Sequence, residues 1–240
     1  MVGGPCDFGV VVTTGDEFTV LTTGLTVFQK KTMVVPIPGW GLSDLIYART
    51  RAAIPAGVSV VRIPYNPAKF PPRDESKDTW KDRLSRDLNA ELAGYMREVA
   101  KGTNCRHYIQ ILNAIGPIGS SSYTVRGFGI LNQDAVLGRR IYLYALAFIR
   151  IFDGHDFSIV RQSSALINMQ HSLQVQRFLG KLIGGPYREL PAESFPEQPE
   201  DAADNLALRG GVRAMLTESL DKTLPLLLGI QRATRKSDPR

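Results

Sequence analysis

The sequence has little cysteine and histidine and no long apolar run. Among its 240 residues are only 2 cysteines and 3 histidines, too few for a disulfide framework or a cysteine-based zinc site. The histidines, at positions 107, 155 and 171, match no metal-binding spacing. We therefore predict neither a metal site nor another cofactor. The longest apolar run, 141–149, spans about half of the ~20 residues that a transmembrane helix needs, so no transmembrane segment is expected.

Charge and the two termini exclude little more. The net charge is +6, from 29 basic and 23 acidic residues. The basic residues are dispersed without interleaved aromatic residues, and several fall in segment 231–240, which we expect to be a basic, frayed tail. Binding to a nucleic acid or an anionic surface therefore stays an alternative only. Residues 1–6 lack the basic and apolar regions of a signal peptide, so none is predicted for the chain as written.

Hydrophobic periodicity predicts an α/β or α+β fold. Segments rich in β-branched residues indicate strands at 7–28, 33–37, 58–63, 108–112, 123–131, 141–152 and 157–160. Helical spacing indicates helices from Ser43 as N-cap to about 55, over 76–102, weakly over 173–183, and from 206 to about 220, with a Pro-rich loop at 186–200. We expect a single domain over 1–230, a mixed sheet with hairpins and three or four packed helices.

Two polar segments are candidate binding sites. The Gly39-Trp40-Gly41 loop precedes a helix whose first turn contains Asp44, an arrangement related to a phosphate cradle although its lysine and glycine spacing are missing. Arg126 precedes Gly127 inside a predicted strand, where glycine indicates a bulge or a close approach of another group. A structural turn and a bulge are the alternative interpretations. We name Trp40, Asp44 and Arg126 as candidate binding residues.

A third candidate lies at a predicted hairpin turn, Asp153-Gly154. Asp153 and His155, with the serines at 120–122, supply the residue types of a hydrolytic triad, but the Gly-x-Ser-x-Gly motif is absent. A hydrolase or transferase that uses loop 113–122 with Asp153 and His155 is therefore an alternative function. No residue is assigned a catalytic role.

Cys6 and Cys105 each stand just before a predicted strand. If both strands start at the same edge of a sheet, the two cysteines can approach disulfide distance in an oxidising compartment. Two free thiols are the other interpretation.

Short motifs lie at residues 10–20, 24–28, 35–44, Arg126-Gly127-x-Gly129 and Phe152-Asp153-Gly154. Together these motifs resemble a group of bacterial α/β proteins of unassigned activity, many of them exported. This resemblance implies a periplasmic or envelope-associated protein. It transfers no activity and no site residue.

The sequence contains no assembled catalytic or cofactor motif. This favours a non-enzymatic interaction protein, an accessory subunit of the bacterial envelope or of a larger complex, with other proteins as its partners. The hydrolase or transferase and the anionic-surface or nucleic-acid binder are the two alternatives.

Overall fold

Strands account for most of the regular structure. The computed structural model describes residues 5–24, 30–69, 87–118, 124–135, 138–167 and 185–229. Its strands are β1 Pro5–Val12, β2 Glu17–Thr23, β3 Lys30–Pro36, β4 Val60–Ile63, β5 Asn104–Asn113, β6 Ile115–Pro117, β7 Thr124–Arg126, β8 Phe128–Ala135, β9 Gly138–Ala145, β10 Ala147–Asp153, β11 Ile159–Ser164 and β12 Tyr187–Leu190. Its α-helices are α1 Leu42–Ala53, α2 Leu88–Val99 and α3 Leu206–Leu227. The helix expected over 173–183 and the tail 231–240 lie outside the described residues.

Ten of the described strands form two five-stranded sheets instead of the expected single sheet, and β6 and β7 form a two-stranded sheet. The first sheet has the order β11-β10-β5-β1-β4 and the second the order β12-β9-β8-β2-β3. Both sheets mix parallel and antiparallel pairs, which confirms the expected class of strands with packed helices. Strands that follow each other in the chain occupy the same position in the two orders. For example, β1 leads into β2, and β9 leads into β10. The chain thus passes repeatedly between the sheets along one line, which we call the seam.

A ring of backbone hydrogen bonds marks the seam. Ala114 N–H donates to the carbonyl oxygen of Leu146 (3.0 Å), Leu146 N–H to Gly127 (2.8 Å), and Gly127 N–H to Ala114 (2.9 Å). This ring interrupts two predicted strands. Segment 141–152 divides at Leu146 into β9 and β10, which belong to different sheets. Segment 123–131 divides at Gly127, whose φ of +65° is typical of glycine.

Two helices begin elsewhere than predicted. The long helix expected over 76–102 does not run through Asp87, whose carboxylate accepts hydrogen bonds from the N–H groups of Asn89 (3.0 Å) and Ala90 (3.1 Å) as an N-cap. α2 therefore starts at Leu88, and its predicted first part, up to 86, lies outside the described residues. α1 is capped by Gly41, so Ser43 lies inside the first turn and is not the cap. The segment predicted as a loop at 186–200 contains β12.

The main core lies between the two sheets. It contains α1 and α3 together with the inward side chains of both sheets, among them Val10 and Ile111 of the first and Phe18 and Leu143 of the second. α2 packs on the outer face of the first sheet. The β6–β7 hairpin packs on the outer face of the second. Within the described residues, both ends of the first sheet are lined by solvent-accessible depressions that contain candidate site residues.

Candidate functional site

The middle of the first sheet is parallel. β1 pairs with β4 on one side and with β5 on the other, both in parallel register. The chain reaches β4 through α1 and β5 through α2, so the direction of the crossovers reverses at β1. In open sheets with parallel strands, ligands bind outside the carboxyl ends of the strands at such a point.

A crevice of about 480 Å³ lies at these carboxyl ends, beside the seam. This volume is within the range of ligand pockets. We call it the seam crevice; its polar lining comes from Thr13–Glu17, Ser43, Arg62, Tyr65, Asn113 and Arg126.

The wall of the seam crevice is tightly packed. The Thr14 hydroxyl donates a hydrogen bond to Oδ1 of Asn113 and so connects the ends of β1 and β5. A Cβ atom at Gly127 would lie 2.7 Å from the same Oδ1, so only glycine fits there. Gly127 follows Arg126 directly, and the close packing therefore fixes the backbone from which the Arg126 side chain projects.

One cation of the crevice is already neutralised. The Arg62 guanidinium donates to the Asp44 carboxylate (2.5 Å) and to the Ser43 hydroxyl (2.9 Å). It also lies over the ring of Tyr47, 5.2 Å from its centroid. These contacts fix Arg62 at the rim and bring Asp44, one of the predicted residues, beside the crevice.

Three other charged side chains line the crevice. Arg126, Asp16 and Glu17 all line the crevice and are exposed. Within the described part of the chain, none of the three forms an ion pair. The crevice thus presents a guanidinium and two carboxylates that can still pair with charges of a ligand.

Trp40 has a structural role instead. Its side chain is 2% exposed, and its indole N–H donates to the carbonyl oxygen of Ala203 at 2.7 Å. Its ring lies 5.0 Å from that of Phe18. Trp40 therefore belongs to the core and does not line the crevice.

Asp153 and His155 lie at the opposite end of the sheet. They line an open depression of about 560 Å³ at the amino ends of β1 and β5, which we call the amino-end depression. The Asp153 carboxylate accepts a hydrogen bond from the backbone N–H of His155 (2.7 Å), as expected for the predicted hairpin turn. Asp153 therefore ends β10, and His155 lies in the turn that leads to β11.

Cys6 and Cys105 form a disulfide in the same depression. They are direct neighbours in the register of β1 and β5. Beside them, Ser59 donates to the Asp7 carboxylate from its backbone N–H (2.9 Å) and from its hydroxyl (2.8 Å). These two hydrogen bonds lower the pKa of Asp7.

The structure does not bring together the groups of the hydrolase alternative in its described part. In the β5–β10 register Asn113 pairs with Ala147, whereas Asp153 pairs with His107, six residues further along. At about 3.3 Å per residue, loop 113–122 thus starts about 20 Å from Asp153. The serines at 120–122 lie outside the described residues.

The sequence predictions missed most of the seam crevice. Thr14 and Asp16 follow β1, Arg62 is the last but one residue of β4, and Asn113 ends β5. Only the parallel arrangement of β4, β1 and β5 makes them neighbours. Polar residues at strand ends were visible in the sequence, and the parallel order was not.

The described residues contain no group of three or more histidine, cysteine, aspartate or glutamate side chains placed to hold a metal ion. None of the described helices is both long enough and apolar enough to span a membrane.

No protein-family model matches the chain, and no curated protein is significantly similar to it. Among solved structures, the chain is similar to the crystal structure of a Xanthomonas campestris protein described under the family model DUF330. The two share 8% identity with a TM-score of 0.26, over 94% of this chain and 83% of that one. A similarity this low carries no functional inference.

Proposed function

We propose that the protein is a non-enzymatic binding domain, an accessory subunit that holds a charged segment of a partner protein in the seam crevice. The observation that supports this most directly is Arg126. Its backbone is fixed by the packing of Gly127 on Asn113, yet its guanidinium has no acidic partner among the described residues. A guanidinium that has no acidic partner in the described part of the chain suits bidentate recognition of a carboxylate.

The other charges favour a segment with both signs. Asp16 and Glu17 line the same crevice as Arg126, so a purely anionic ligand would meet repulsion as well as attraction. A peptide segment with an acidic and a basic side chain can pair with both. Such complementarity contributes mainly to specificity and to the rate of association.

An edge strand beside the crevice favours a protein partner over a small molecule. β4 is an edge strand of the first sheet in the described part of the chain. Val61 is 42% exposed there, next to Arg62 of the crevice rim. An extended partner segment can add to such an edge through backbone hydrogen bonds and place its charged side chains in the crevice.

The disulfide supports a compartment for this role. Disulfides persist in secreted and periplasmic proteins and are rare in the cytosol. The Cys6–Cys105 bond therefore supports our proposal of an envelope location, which the sequence resemblance also implies.

The test combines cross-linking with affinity. A photo-reactive residue is placed at Glu17 and, as a control, at Arg188, which lies on β12 and does not line the crevice. Cross-linking in the source bacterium should give a product only from position 17, and mass spectrometry identifies the partner. The purified partner should then bind Arg126→Gln about tenfold more weakly than the wild type, a loss of about 1.4 kcal/mol.

The matched control for affinity is Arg188→Gln, an exposed arginine outside the crevice, which should bind like the wild type. Equal cross-linking from both positions would exclude the crevice as the binding site. Unchanged affinity of Arg126→Gln would exclude the guanidinium as the recognition group.

A further inference from the structure

The disulfide lies where a dissolved thiol can reach it. Cys6 and Cys105 both line the open amino-end depression of about 560 Å³. Cys6 is partly exposed, whereas Cys105 is 2% exposed. We propose that Cys6–Cys105 is a thiol–disulfide exchange site, which an external dithiol reduces reversibly while the protein remains folded.

The difference in exposure gives the exchange a direction. An incoming thiolate reaches the sulfur of Cys6 first, so the buried Cys105 is the leaving group. Thiol–disulfide exchange is faster when the leaving thiol has a low pKa. Cationic neighbours lower thiol pKa values.

One cationic side chain of the described residues, Arg106, lines the depression. Arg106 follows Cys105 directly in the sequence. The carboxylates of the same depression already accept hydrogen bonds, Asp7 from Ser59 and Asp153 from the His155 N–H. Arg106 adds positive charge to the depression, where it also acts on the Asp7 carboxylate, and we expect this charge to favour a departing Cys105 thiolate.

The surrounding strands should keep their positions after the bond breaks. The β1–β5 pairing continues beyond the cysteines to Val12 and Ile111. The Cys105 backbone N–H donates to the Tyr108 hydroxyl at 3.1 Å, and the Tyr108 side chain is buried. These contacts do not involve the sulfur atoms, so they hold the two thiols close enough to reoxidise.

The exchange balances in two steps. A thiolate of the dithiol attacks Sγ of Cys6 and forms a mixed disulfide, and the Cys105 thiolate leaves and takes a proton from water. The second thiolate of the dithiol then attacks the other dithiol sulfur, which is bonded to Sγ of Cys6. The Cys6 thiolate leaves and takes a proton from water. Two electrons and two protons pass from the dithiol to the protein, and the dithiol becomes a disulfide.

The first experiment measures reduction of the folded protein by dithiothreitol. Free thiols are counted by maleimide gel shift, and far-UV circular dichroism follows the fold. The rate should rise linearly with dithiothreitol, stay constant in sub-denaturing urea, and leave the dichroism unchanged. A rate that levels off at the unfolding rate, or a loss of dichroism with reduction, would overturn the proposal.

Two further measurements test the direction and the charge. Glutathione, a monothiol, should be trapped by mass spectrometry on Cys6, and a glutathione adduct on Cys105 instead would contradict the direction. Arg106→Gln should slow reduction about threefold, with the same urea midpoint as the wild type, while Arg188→Gln should not change the rate. Equal rates in all three proteins would remove Arg106 from the proposal.

Discussion

The two ends of the first sheet join the same strands by different means. At the amino ends, β1 and β5 are joined by a disulfide, and the Asp7 carboxylate accepts two hydrogen bonds from Ser59. At the carboxyl ends, the connection is a side-chain hydrogen bond between Thr14 and Asn113. Arg126 and two carboxylates also lie there, and none of these three groups forms an ion pair within the described residues.

This difference follows from the path of the chain. At the carboxyl ends the chain leaves the first sheet and crosses the seam, so loops and polar residues collect there. Loops supported by a rigid scaffold are where binding residues concentrate. The amino end thus contains a covalent link between the two strands, and the carboxyl end contains charged groups without an ion pair in the described part of the chain.

The largest expected effect is removal of the disulfide. The bond closes a loop with a sequence separation of 99 residues. For a loop of this length, its loss from the double variant Cys6→Ala/Cys105→Ala should cost about 4 kcal/mol of unfolding free energy. Urea denaturation measures it. Dithiothreitol should shift the urea midpoint of the wild type to that of the variant and leave the midpoint of the variant unchanged. A variant as stable as the oxidised wild type would show that the disulfide does not stabilise the amino end.

The next effect concerns the turn beside the disulfide. A Cβ atom at Gly154 would overlap the carbonyl oxygen of Cys105 and lie 2.8 Å from that of Arg106. Since backbone atoms cannot give way as side chains do, Gly154→Ala should lower the unfolding free energy by about 3 kcal/mol.

The matched control is Gly39→Ala, in the segment that leads into α1. No atom lies within 4 Å of its Cβ position, so this variant should be unchanged or more stable by about 0.5 kcal/mol. Urea midpoints of both variants check the contrast. Equal losses would mean that the short distances to the Cys105 and Arg106 carbonyl oxygens do not restrict position 154.

Sequence patterns were sufficient for the class of fold but not for the seam. The hairpin turn at Asp153-Gly154 was predicted, because turn chemistry is local. The division at Leu146 was not, because Ala145, Leu146 and Ala147 are all buried and no turn residue separates them. The hydrogen bonds that divide this run come from Ala114 and Gly127, which are distant in sequence.

The predicted site residues lie at two different ends of the first sheet. Arg126 and Asp44 were predicted to bind, and the structure places the first in the seam crevice and the second beside it. Asp153 and His155 lie at the other end of the sheet, in the amino-end depression. Residue type and local motif cannot distinguish the two ends, because only the strand order determines which loops meet.

A smaller effect tests whether Trp40 belongs to the core and not to the crevice. Trp40→Phe leaves the carbonyl oxygen of Ala203 without its indole donor. The cost of this unsatisfied acceptor should be about 2 kcal/mol of unfolding free energy, measured by urea denaturation. Affinity for the cross-linked partner should stay at the wild-type value. A loss of affinity without a loss of stability would instead assign Trp40 to the recognition surface.

The smallest effect is the acid sensitivity of the amino end. Hydrogen bonds from Ser59 lower the pKa of Asp7 in the folded protein. Because the pKa of Asp7 is lower in the folded than in the unfolded state, the ionised carboxylate stabilises the protein at pH values above the ordinary aspartate pKa. This stabilisation is lost as the pH falls from the ordinary pKa through the folded-state pKa. Wild type should therefore lose more thermal stability than Asp7→Asn between about pH 6 and about pH 3. Ser59→Ala removes the hydroxyl donor and keeps the backbone donor, so its loss should be intermediate. The same acid sensitivity in all three proteins would show that the Asp7–Ser59 pair adds nothing to the disulfide at this end.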